Sequence, residues 1–152
     1  MEYQIRQARI TDIDRLAAIG RTALSEAGSG SLDAADLLRQ LVYLPNASLL
    51  VAERRREIVG GALLVLRPSV KSGGYVGTVD FLVSAPDHDA DRVTDALIEE
   101  LLRSAGNKGC TIVEAALPSD PASLARLERA GFAPAGPTLR RPLAVAGSAR
   151  RS

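Results

Sequence analysis

The sequence predicts a mixed α/β fold: an antiparallel meander at the centre, joined to a parallel β-α-β unit and covered by helices. Three observations lead there. Three strand-like runs, 47–53, 58–66 and 74–84, follow one another with only turn-like breaks between them, and strands joined by short connections pair antiparallel. A helical pattern then separates run 74–84 from a fourth run, 110–117, which is the arrangement of a parallel, right-handed crossover. Helical periodicity near both ends supplies cover for the sheet. The expected order is β-α-α-β-β-β-α-β-α-β, a mixed sheet packed against helices.

YQIRQA (3–8) reads as the first strand. In TDIDRLAAIGRTALSEA, Thr11 is placed to cap a helix, and Asp14 three residues on completes a box-like start. Ile13, Leu16, Ala17 and Gly20 share one helical face. GSGS (28–31) breaks that helix, Ser31 can cap the next, LDAADLLRQLVYL, and Pro45-Asn46 ends it. ASLLVAE and IVGGALLVL flank a tight RRRE turn in a hairpin pattern. Gly60-Gly61 inside the second of these strands marks a bulge or a close backbone approach.

The long run GYVGTVDFLVS (74–84) leads into an aspartate-rich junction, APDHDAD, and a helix to about Ala105. Val93, Leu97 and Leu101, spaced by four, make its apolar face. CTIVEAAL (110–117) reads as a buried strand. Asp120-Pro121 is an N-cap with proline at the first helical position, so SLARLERA is a helix, and Gly131 stands at its C′ position. From Phe132 the prolines at 134, 137 and 142 leave room for a short edge strand at most. A single domain is expected over 1–143, with a disordered basic tail over 144–152.

Bulk properties narrow the function classes. The 152 residues suit one domain with one core, and 46% apolar against 24% charged residues makes the chain globular. A net charge of +1 and only five aromatics give no argument for nucleic acid. The lone Cys110 excludes an internal disulfide framework. MEYQIRQ has no apolar h-region and no run is long enough for a membrane span. A cytosolic protein without a membrane partner is the expectation.

The element order, with IRQARITDIDRLAAI at the start, FLVSAP (81–86) in the middle and LARLERAGF (124–132) near the end, resembles the GNAT superfamily of acyl-CoA-dependent N-acyltransferases. The likeness runs to about residue 136. It implies acetyl-CoA as cofactor and an amine as acceptor, either a small molecule or a protein amine. It implies three functional features, each carried to its own position. The end of the central strand splays from its neighbour, and the backbone of Leu82, Val83 and Ser84 would pair with the cofactor's pantetheine arm, with Pro86 following. The pyrophosphate loop of the family, Arg or Gln followed by a glycine-rich turn into a helix, falls on Asp89 to Thr94. Arg92 stands where its first glycine belongs, with Val93 and Thr94 after it. Glycine there lets the backbone approach phosphate without a Cβ in the way. Three acids at 87, 89 and 91 oppose an anion instead, and an aspartate can satisfy the free amides of the helix start itself. Third, the tyrosine many members use as acid falls on Leu127, which donates no proton, and an asparagine often seen upstream falls on Asp120.

The remaining candidates are few. Asp80, on the central strand and alternating with its neighbours, is either the general base or a solvated strand acid. Asp87-x-Asp89-x-Asp91 imitates a calcium loop, but its sixth position is Arg92 and its twelfth Ile98, so no metal is expected. His88 reads as surface polarity and Cys110 as a small core residue without a histidine to activate it. Of the tyrosines 3, 43 and 75, only Tyr75 lies on the central strand. Two readings stand side by side: an acetyl-CoA-dependent N-acetyltransferase with an atypical cofactor loop, or a non-catalytic binding or regulatory module of the same fold. A homodimer through the sheet edge is compatible with either.

Overall fold

The computed structural model describes residues 3–20, 33–86, 88–136 and 141. Strand β1 (Gln4–Gln7) leads through a 3₁₀ turn (Ile10–Asp12) into α1 (Ile13–Ile19), and α2 (Ala34–Leu41) follows. The meander is β2 (Ala47–Arg54), β3 (Glu57–Ser69) and β4 (Gly74–Ser84). The crossover is α3 (Ala90–Asn107) into β5 (Cys110–Ala115), and α4 (Pro121–Arg129) closes the described order. The five strands form one sheet in sequence order, antiparallel from β1 to β4 and parallel between β4 and β5. This is the mixed sheet the sequence predicts. Residues 132–136, the described part of the last expected strand, form no strand. The rest of it, the tail 144–152 and Ser31 lie outside the described residues, and α2 is capped instead by Asp33, which accepts from Asp36 N–H at 2.8 Å.

The near-continuous apolar run of β2 follows from burial on both faces. Leu50 and Ala52 pack with Val93, Leu97 and Leu101 of α3. Leu49 and Val51 turn the other way, against Ile13 and Leu16 of α1 and Leu38 of α2. Gly60 and Gly61 divide the same way between the two faces. A Cβ on Gly60 would lie 2.7 Å from Val93 Cγ1 and 2.7 Å from the Val83 carbonyl, and one on Gly61 would lie 2.5 Å from Leu16 Cδ1. Both sequence readings of this pair hold, because the β2–β3 register also slips between Ala52, opposite Gly60, and Glu53, opposite Ile58.

Three local expectations are corrected. Thr11 is the middle of the 3₁₀ turn and not a cap; Asp12 takes the Arg9 amide at 2.8 Å and a bidentate grip from Arg6 at 2.8 and 3.1 Å. A carboxylate bound to a guanidinium wins over a neutral hydroxyl one residue earlier. Asp14 is consequently not part of a box and pairs with Arg39 of α2 at 2.8 Å. β5 is not a buried strand: among the described residues it is the sheet's outer edge, with Thr111, Ile112 and Glu114 exposed and only Cys110 and Val113 packed toward the α3 core.

The turns follow their chemistry. β2 and β3 join through Arg55 and Arg56 alone, both left-handed (φ 54 and 67), as a type I′ hairpin turn requires. α4 ends as expected on Gly131 (φ 98), with Phe132 N–H donating to the Leu127 carbonyl at 3.0 Å and Gly131 N–H to that of Glu128 at 3.0 Å, a Schellman closure.

Candidate active site

The site originates in a mismatch of strand lengths. β4 stays paired with β3 to its last residue, Ser84, opposite Gly60. Its ladder with β5 stops at Val79, opposite Ala115. The reason is a bulge: Leu64 faces Val79 and Leu63 faces Phe81, so Asp80 is the extra residue. A bulge bends its strand and increases the twist, and here it turns the end of β4 away from β5. The next residues on the β5 side, Ala116 to Pro118, run out toward α4, and Asp120 caps that helix by accepting from Ser123 N–H at 2.9 Å. That bond is the main cause holding the Asp120 carboxyl below the usual carboxylate range.

Between the diverging strands lies a cavity of about 390 Å³, within the usual size of a ligand pocket. One wall is β4 from Val79 to Ser84 and the other is 115–118. Thr94 of α3 and Arg126 and Leu127 of α4 complete it, with Ile19 at the end of α1. The sequence-derived Leu82, Val83, Ser84, Asp80, Thr94 and Leu127 are therefore gathered on one cavity. Asp80 is exposed there, and it interrupts the strand alternation expected of it. Leu127 is buried. Val93 and Arg92 are not brought in. Val93 is fully buried against the sheet, and its amide donates to the Asp89 carbonyl at 3.0 Å. Arg92 is exposed and outside the lining.

The helix start is closed by its own acid. The Asp89 carboxylate accepts from the amides of Asp91 at 3.1 Å and Arg92 at 3.3 Å. These are donors a phosphate would need. Asp91 itself pairs with Arg126 at 2.7 Å, and that bond is the main cause holding its carboxyl below the usual range. Asp95, one turn on, pairs with Arg129 at 2.7 Å. Asp87 lies outside the described residues.

Other candidates sit elsewhere. Cys110 pairs with Tyr75 at the opposite end of β4, and burial pushes its thiol up, away from thiolate character. His88 stands edge-on to Tyr3, ring centroids 6.2 Å apart. No tyrosine lines the cavity, and among the described residues no group of three His, Cys, Asp or Glu could hold a metal ion. Sequence reasoning missed Arg126 and Ile19. Ile19 lies in the first helical run but off the face of Ile13, Leu16, Ala17 and Gly20, with no sign of a ligand.

Comparison with known proteins agrees with this geometry. Among curated proteins none matches. Among solved structures, the chain is similar to a ribosomal-protein-alanine N-acetyltransferase from Brucella melitensis biovar Abortus, 19% identical with TM-score 0.72, over 91% of this chain and 98% of that one. It is similar to a transcriptional regulator from Bacillus halodurans, 20% identical with TM-score 0.77, over 93% and 100%. It is also similar to an acetyltransferase from Trypanosoma brucei, 25% identical with TM-score 0.71, over 93% and 100%. The sequence model of the acetyltransferase (GNAT) family matches residues 15–132, from the first helix through the splayed strands to the glycine closing α4 and Phe132 beyond it. With most of the chain inside that match and the split between β4 and β5 in place, this chain belongs to the GNAT acetyltransferase family.

Proposed function

We propose that this protein is an N-acetyltransferase that moves an acetyl group from acetyl-CoA to an amine. The observation that supports it is the ladder break after Val79–Ala115, which leaves the β4 backbone from Asp80 to Ser84 open along the cavity. An extended amide-containing chain adds to such an edge by strand-type pairing, and the pantetheine arm of coenzyme A is a chain of that kind. The fit is partial: the amides of Asp91 and Arg92 are already given to Asp89, so the start of α3 offers little to the phosphates.

Acetyl-CoA, when bound, supplies an activated thioester. The protein's own residues divide the rest. Asp80, exposed at the bulge and the one acid lining the cavity among the described residues, is assigned to take the amine's proton, directly or through water. Leu127 provides an apolar wall and no proton, so the thiolate leaves unassisted. A free thiol has a pKa of about 8.5, which permits this near neutral pH.

The test is calorimetric titration with coenzyme A, followed by thiol release against a panel of small amines and amine-bearing peptides. Binding in the micromolar to millimolar range with release above background is expected. Absence of binding at millimolar coenzyme A overturns the proposal. It would favour the second reading, a non-catalytic module, which the self-capped helix start and Leu127 support.

A further inference from the structure

Among the described residues, Arg126 is the one basic side chain lining the cleft. It is also better buried than its partner, with 22% side-chain exposure against 61% for Asp91. Its Nε donates to Asp91 Oδ1 at 2.7 Å; its terminal nitrogens make no hydrogen bond among the described residues, and its charge also acts on the Asp120 carboxylate. A guanidinium is a planar fork that takes carboxylate or phosphate alike, so this one is half filled. The neighbouring pair repeats the arrangement one turn along both helices: Arg129 binds Asp95 at 2.7 Å and stands 4.0 Å from Asp91. Two arginines on α4 thus hold two acids at the start of α3. The backbone amides that would otherwise receive an anion at this helix start are donated to Asp89. A phosphate carried by a ligand in this cleft finds the amides of Asp91 and Arg92 already given to Asp89, and finds in Arg126 the cation of the lining.

We propose that Arg126 is the phosphate-binding residue of the cleft, and that Asp91 occupies it while the cleft is empty. A phosphate ester binds on the open terminal nitrogens and draws the guanidinium charge away from the Asp91 carboxylate, and Arg129, 4.0 Å from that acid, is placed to receive it. The anion site thereby sits on α4 and is filled from within. Ligand affinity is set by the difference between two anions competing for one arginine. This rests on the cleft being a coenzyme A site, and it specifies how that site handles charge.

The experiment compares coenzyme A with pantetheine, which has the same arm and no phosphate, by NMR titration of the wild type, Asp91→Asn, Arg126→Gln and the double variant. Asp91→Asn keeps the shape and removes the competing charge. It should tighten coenzyme A by about three- to tenfold, the scale of one partly exposed charge pair, and leave pantetheine unchanged. Arg126→Gln should weaken coenzyme A about tenfold, again without touching pantetheine, and the double variant should lose the gain. Arg126→Lys, which keeps the charge without the fork, should retain part of the affinity. Dephospho-coenzyme A separates the two phosphate sources: a full response assigns the diphosphate to Arg126, and a lost response assigns the 3′-phosphate. The proposal is overturned if Asp91→Asn leaves coenzyme A unchanged or weaker while pantetheine still binds, or if both ligands shift together. If neither ligand binds any variant, the acetyl-CoA reading falls, and this proposal with it.

Discussion

Arg6 grips Asp12 through two nitrogens, at 2.8 and 3.1 Å, across the bend between β1 and α1. The Arg6 Nε also reaches Glu53 on β2 at 3.1 Å, so one guanidinium ties the first strand, the second strand and the first helix together. Arg6 is the leading cause holding the Asp12 carboxyl below its usual range. A depressed acid adds stability above its unfolded value, about 3.9, and that contribution fades as pH falls through the folded value. Asp12→Asn should therefore cost about 2 kcal/mol at pH 7, the scale of a hydrogen-bonded charge that is largely buried. In urea titrations the gap between wild type and variant should be full at pH 7 and should shrink below about pH 4. A gap that stays constant with pH would mean Asp12 acts by shape alone.

Gly60 and Gly61 should respond unequally to alanine. At Gly60 the new Cβ meets the Val83 carbonyl, which is backbone and cannot step aside, as well as Val93. At Gly61 it meets the tip of the Leu16 side chain at 2.5 Å, and the nearest backbone atom, the Leu50 carbonyl, only at 3.2 Å. Overpacking typically costs about 1–3 kcal/mol. Gly60→Ala should fall at the upper end or beyond, and Gly61→Ala lower. Denaturant midpoints give the order, and a larger loss at Gly61 would contradict the packing described.

The hairpin turn can be relieved. Left-handed backbone costs a residue with a side chain about 1–2 kcal/mol, and both turn positions carry arginine. Arg55→Asn with Arg56→Gly supplies the preferred turn pair and should stabilise the fold by about 1 kcal/mol, visible as a Tm rise of a few degrees. No rise, or a fall, would show that the arginine side chains contribute something that offsets the strain.

Leu127 and Asp80 test the chemistry. General-acid assistance contributes about 10²–10⁴-fold where it operates. Leu127→Tyr should raise thiol release at saturating acetyl-CoA at any pH where the phenol keeps its proton, that is below about 10. Asp80→Asn should lower turnover with binding of coenzyme A intact. A slower Leu127→Tyr enzyme would refute the reading of 127 as a lost acid, and an unaffected Asp80→Asn would return Asp80 to a solvated strand acid.

What was legible in the sequence was local or periodic. The Asp120 cap, the Gly131 closure and the choice of an aspartate to satisfy the start of α3 depend on groups within a few residues, and each is found. The Gly60-Gly61 pair announced a close approach without saying to what. Thr11 was misjudged because the competing acid draws its advantage from Arg6, six residues earlier in the chain. β5 was misjudged because an apolar run reports affinity for a sheet and not its place at the edge. Arg126 gave no signal, since its partner Asp91 is 35 residues away and only the packing of α4 on α3 joins them. The bulge at Asp80 was hidden for a related reason: register is a property of two strands, and one strand's alternation cannot display it.

The break in the β4–β5 ladder has a consequence in time as well as in space. From Phe81 to Ser84 the strand is paired on its β3 side only, and Asp80 has a ladder partner on neither side. Every second residue there directs its amide toward the cleft, where solvent can reach it. Deuterium should therefore enter this segment in an alternating pattern, slow and fast residues side by side, within a strand that geometry alone would count as central. A chain that pairs along the open edge would slow the fast set and leave the slow set as it was.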